Sequence, residues 1–115
     1  MNVRECYEKM GADFDEVLGR LGTNDMVARF AKKFPDDGSF AGIFEALDKG
    51  NIQEAFRAVH TLKGVCLNLG LTQLHKVSFE LTELFRAGSI DGADELLEKL
   101  KEQYEITVDS IKQID

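Results

Sequence analysis

The chain has 115 residues, with 21 acidic against 14 basic side chains and a formal charge of −7. That length suits one domain, residues 1–115, with room for one modest core. An acidic chain with no basic block is a poor candidate for nucleic acid or anionic membrane surfaces, and neither is expected as a partner. No leader opens it and no run approaches the roughly 18 apolar residues of a membrane span, so the expected location is cytoplasmic.

One proline and few β-branched runs predict an all-α chain. Residues 2–10 form a short first helix. "GADFDEVLGRLG" follows, with Asp13 as N-cap and Gly22 as the stop. In "TNDMVARFAKKF", Thr23 or Asn24 caps a helix whose Met26, Val27, Phe30 and Phe34 share a face. Pro35 and Gly38 interrupt at 35–39. "FAGIFEALDKG" then places Phe40, Ile43, Phe44 and Leu47 at helical spacing. Asn51 with Glu54 forms a capping-box-like start for a helix to about Leu69, which Gly70 ends. Thr72 caps the next, to about Ala87, with Leu74, Val77, Leu81, Leu84 and Phe85 inward. Ser89 opens the last, to about Ile111, with Leu100, Tyr104 and either Ile106 or Thr107 inward. "GNIQEAFRAV" and "GSIDGADELL" share a Gly-x-Ile-x-x-Ala opening, read as one helix-start device used twice. Short connections favour antiparallel neighbours. The expected fold is an antiparallel up-down four-helix bundle with the additional N-terminal helices packed against it.

The helix at 51–69 carries the chemistry. At about 100° per residue, with Val59 at the centre, Ile52, Ala55, Phe56, Leu62, Cys66 and Leu69 complete a core stripe. His60 falls at the stripe's edge, which predicts a ring held from behind with one nitrogen in solvent. Lys63 and Gly64 flank it one turn on, and Arg57 and Gln53 flank it towards the N-terminus. A mid-helix glycine costs about 1 kcal/mol relative to alanine, and a bare backbone there leaves a gap beside the imidazole. An imidazole, which titrates near pH 6.5 in isolation, is a competent nucleophile at neutral pH. Phosphoryl transfer asks for in-line access, positioning and positive charge near the moving oxygens. The gap at Gly64 offers the access and Lys63 the charge, with His60 as the nucleophile.

"HTLKGVCLNLG" resembles the His-x-Leu-Lys-Gly…Gly signature of histidine-containing phosphotransfer (HPt) domains. The lead-in "GNIQEAFRAVHTLKG" and the later "LTELFRAG" are similar to the same family, and the likeness runs from about Met26 to the end. The resemblance implies that His60 carries a phosphoryl group on Nε2, that Lys63 stabilises it and that Gly64 gives access. The family often has Ser or Ala where Val65 and Cys66 stand; Cys66 is small and core-facing, and Val65 points away from His60. Family members often orient the imidazole with a polar residue on the next helix. Antiparallel geometry puts His60 level with about residue 81, so Thr82 and Glu83 are both candidates.

The resemblance further implies a freestanding phosphocarrier, not an enzyme with turnover, and with no ATP site. Its partners would be receiver domains of response regulators or hybrid histidine kinases. No cofactor and no metal is expected, since Mg2+ would come with the receiver, and the protein is expected to be a monomer. Arg57, Leu67, Leu71, Met26 and Phe30 are the candidate docking residues. Two alternatives stay open: the phosphoacceptor domain of a chemotaxis-type histidine kinase, and a non-catalytic helical adaptor that binds receivers.

Other groups read blandly. Cys6 and Cys66 form no CxxC or metal spacing and are expected to be free thiols. His75 is expected to be solvent-exposed and idle, and no histidine has a ligand-spaced partner.

Overall fold

A computed structural model describes residues 1–115 as all-helical. Seven α-helices run in order: α1 (Val3–Met10), α2 (Phe14–Leu21), α3 (Asn24–Lys33), α4 (Ser39–Asp48), α5 (Ile52–Asn68), α6 (Thr72–Arg86) and α7 (Ala93–Ile111). A 3-10 turn, Phe34–Asp36, joins α3 to α4 at Pro35.

Three of the helix starts capped as read from the sequence hold, and α1 carries a cap that the reading did not name. Asn2 and Glu5 form a reciprocal capping box on α1. Asp13, Thr23 and Asn51 accept from the backbone N–H of Glu16, Met26 and Glu54. Each such cap satisfies one of the orphan donors at a helix N-terminus.

Two predicted starts differ. Thr72 is not a cap: Leu71 occupies that position without a side-chain bond, and the Thr72 hydroxyl donates back to Gly70 O at 3.2 Å. Ser89 does not open the last helix, which begins at Ala93. Its hydroxyl accepts from Asp91 N–H at 3.0 Å in a local turn. The two similar openings diverge because Gly92 stands where Glu54 stands in the first. Gly92 takes a left-handed φ of 82°, which a helix cannot continue. The Ile106 or Thr107 ambiguity resolves to Thr107, which is buried with its hydroxyl bonded to Gln103 O; Ile106 is exposed.

α5 packs on α4 and α6, α6 on α7, and α1 on α7 and α3. α4 meets α7 through aromatic contacts, with Phe40 stacked on Tyr104 at 3.7 Å between centroids. The molecule is elongated, 41 × 23 × 20 Å. Its core is one cluster of 25 buried apolar residues drawn from every α-helix.

The N-terminal helices are tied to the turn that follows α5. The buried Tyr7 hydroxyl donates to Leu69 O at 2.7 Å, and Asp13 N–H donates to Gly70 O at 2.8 Å. Gly70 is obligatory here. Its φ is 65°, and a Cβ would lie 2.5 Å from Val17 Cγ2 and 2.7 Å from Asp13 O. Arg20 of α2 adds a clamp absent from the sequence reading. Its Nη2 donates to Leu67 O at 3.0 Å and Asn68 O at 2.7 Å, satisfying the last carbonyls of α5.

Candidate functional site

α5 holds Ala55, Val59, Leu62 and Cys66 in the core, which fixes the helix's rotation and leaves His60 exposed at the edge. The ring rests beside Phe56, one turn back, with centroids 5.8 Å apart and planes at 45°. Phe56 is itself half-buried, and the Arg86 guanidinium of α6 lies 5.0 Å above its ring. Lys63 Nζ lies 5.6 Å from the ring centroid of Phe79, also on α6. These contacts pair 56 with 86 and 63 with 79, so α5 and α6 run in opposite senses along the site.

Gly64 has no structural reason to be glycine. Its backbone is ordinary helix, and a Cβ built there meets nothing within 4 Å. The contrast with Gly70 is direct: one glycine is demanded by the turn, the other is tolerated by the helix at a cost. The open space at Gly64 is next to the exposed imidazole, one turn along α5.

The orienting candidates on α6 are otherwise engaged. Thr82 is fully buried, and its hydroxyl donates to Ser78 O at 2.6 Å. Glu83 is exposed and accepts from Arg86 Nε at 3.3 Å. Neither forms a hydrogen bond to the His60 ring, whose neighbour is Phe56.

The docking candidates separate. Arg57 is exposed on α5, and Leu67 is 53% exposed. Leu71 is a correction: at 2% exposure it belongs to the core at the start of α6 and offers nothing to a partner. The main chain turns there through the obligatory Gly70, which drives the side chain inward. Phe30 is 37% exposed and Met26 half-buried, both on α3. Phe30 lines a shallow cavity of about 220 Å3 with Phe34, Val65 and Asn68. Val65 is about 140° around α5 from His60. The outer face of α5, with Gly64, Thr61 and Asn68, lies between the two.

The remaining reactive groups are withdrawn. Cys66 is fully buried, and burial pushes its thiol up to about 12 although a hydrogen bond with Ser78 opposes the shift. Cys6 is also buried and free, its thiol raised by the same desolvation, with Sγ donating to Ser110 O. His75 is half-buried, not fully exposed, with its ring 6.5 Å from Phe79.

Phe79 and Arg86 escaped the sequence reading, although a signal for them was available. The register that levels His60 with residue 81 also levels Lys63 with about 78 and Phe56 with about 85. Extending it one turn each way finds both residues.

No curated protein and no solved structure matches the chain. No helix is long and apolar enough to cross a membrane. The model of the family described as Hpt domain matches residues 25–110, well over half of the chain, and spans α3 to α7 with His60 inside it. That family works in phosphorelays with receiver domains, its members serving as phosphocarrier modules in histidine phosphotransfer and not as catalysts. With a match of that extent, the chain belongs to the Hpt domain family.

Proposed function

We propose that His60 is the phosphoryl carrier, receiving the group from an aspartyl-phosphate of one receiver domain and passing it to the aspartate of another. The observation that carries this reading is the unnecessary glycine. Gly64 weakens α5 by about 1 kcal/mol relative to alanine, and neither packing nor backbone conformation calls for it. A gap beside an exposed imidazole is what an approaching aspartyl-phosphate needs.

In the transfer, an imidazole nitrogen attacks phosphorus in line. The N–P bond forms as the acyl-phosphate O–P bond breaks, and the carboxylate leaves with the electron pair. Lys63 supplies positive charge to the phosphoryl oxygens, which gather charge in the transition state. Magnesium belongs to the receiver, and this chain needs no cofactor. The aspartate's neighbourhood on the receiver lands on Gly64, Arg57 and Leu67. Its footprint extends over the outer face of α5 towards Phe30 and Met26. The bundle reading is an up-down arrangement of α4–α7 in one domain acting as a monomer. The aromatic contacts between α4 and α7, and the opposed senses of α5 and α6, support that arrangement.

The test is a set of receiver domains from the same source, each charged on its aspartate with radioactive phosphate. Label should move to this protein and be stable to alkali and labile to acid. If no receiver of the set gives up label, the carrier reading fails. If a receiver binds without transfer, the protein is a non-catalytic adaptor.

A further inference from the structure

We propose that Phe79 is a positioning residue that stations the Lys63 ammonium beside His60 without neutralising it; the inference rests on the carrier reading of His60. Phe79 is 48% exposed on α6, so the core does not account for it. The Lys63 ammonium lies over its ring, at 5.6 Å from the centroid. Lys63 has no carboxylate within 4 Å, although α6 carries Glu80 and Glu83 along the same stretch, and Glu83 is paired with Arg86 instead.

The choice of partner matters for the chemistry. A carboxylate would restrain the lysine, yet it would cancel the charge and have to be displaced when phosphoryl oxygens arrive. The negative face of an aromatic ring attracts the ammonium and leaves its charge and its three N–H donors for the incoming group. A flexible four-carbon stem, rooted one turn from His60 on α5, is thereby narrowed to a few rotamers. Phe79 itself touches no reacting atom; it acts through Lys63.

The experiment compares wild type with Phe79→Leu, which keeps an apolar stem and removes the ring face. The probe is a receiver domain charged on its aspartate with radioactive phosphate, in single-turnover reactions over a range of receiver concentration. Phe79→Leu should slow the maximal transfer rate about two- to fivefold, the worth of an exposed cation–π contact, with half-saturation unchanged. Phe79→Tyr should restore the rate, and Phe79→Leu should add nothing in a Lys63→Ala background. Proton NMR supplies a readout independent of transfer. The Lys63 ε-methylene should be shifted upfield by the ring in wild type and relax to its ordinary position in Phe79→Leu. An unshifted Lys63 in wild type overturns the inference. So does a change in half-saturation alone, which marks a docking contact, or a full loss that persists without Lys63. If wild type takes no label, the carrier reading fails and the catalytic part of this inference with it. The ring shift still reports whether Phe79 holds Lys63.

Discussion

Replacing Gly64 separates what the fold needs from what the site needs. A Cβ at this position meets no atom within 4 Å and the backbone is already helical, so Gly64→Ala introduces no overlap and no strain. The gain is the helix-propensity difference, about 0.8–1.0 kcal/mol, from the smaller backbone entropy of the unfolded alanine chain. Unfolding entropy near 2.1 cal/mol/K per residue gives about 0.24 kcal/mol/K for this length, so Tm should rise by about 3–4 °C. Transfer should move the other way. Gly64→Gln fills the gap with a good helix former and should cost about 10²-fold in transfer rate, the penalty for holding reacting groups about 1 Å out of place. Gly19 provides the control: it is helical, equally open and on α2, so Gly19→Ala should stabilise similarly and leave transfer unchanged. Thermal unfolding and single-turnover transfer on the same preparations measure both effects. A Gly64→Ala protein less stable than wild type would show that the fold needs this glycine, and a Gly64→Gln protein that transfers at the wild-type rate would show that the site does not.

Three further outcomes follow from the packing. Tyr7→Phe strips the buried Leu69 carbonyl of its 2.7 Å partner and should cost about 1–2 kcal/mol in urea unfolding at neutral pH. Arg20→Met releases two α5 carbonyls. It should cost up to about 1 kcal/mol and accelerate hydrogen exchange at Leu69 and Gly70, whose amides close the last turn. Cys66 predicts an alkaline limit. Its thiol is pushed from 9.0 to about 12 by burial, so the unfolded chain ionises first and the folded state holds the extra proton. The stabilisation is complete below pH 9 and falls as pH rises from 9 towards 12, by about 1.4 kcal/mol per unit well above 9. Cys66→Ala should make that part of the stability profile shallower, with the buried Cys6 and Tyr7 supplying the slope that remains, as read from urea midpoints between pH 8 and 10.5.

The sequence carried the helical class and the edge position of His60 because both depend on local periodicity and caps. Asp13, Thr23 and Asn51 each cap through their own side chain, so their signal lies within three residues. The last helix was misplaced because Ser89 and Gly92 compete for the same start, and a left-handed glycine overrules a hydroxyl three residues earlier. Leu71 was misread as surface because its burial follows from the turn at Gly70 packing on α2, a contact more than fifty residues away in sequence. The same limit hid Arg20, whose partners lie 47 and 48 residues on. At the site, His60, Lys63 and Gly64 share one helix and were visible together. Phe79 and Arg86 come from its neighbour and needed the register between two helices.

With only two histidines in the chain, whether the phosphoryl group rides on His60 can be read directly. Wild type, His60→Gln and His75→Gln would be charged by a phosphorylated receiver, then mapped by tandem mass spectrometry at neutral pH. One phosphoryl group is expected on the peptide containing His60 in wild type and in His75→Gln, and none in His60→Gln. A phosphoryl group retained by His60→Gln, or mapped to His75, would contradict His60 as the carrier.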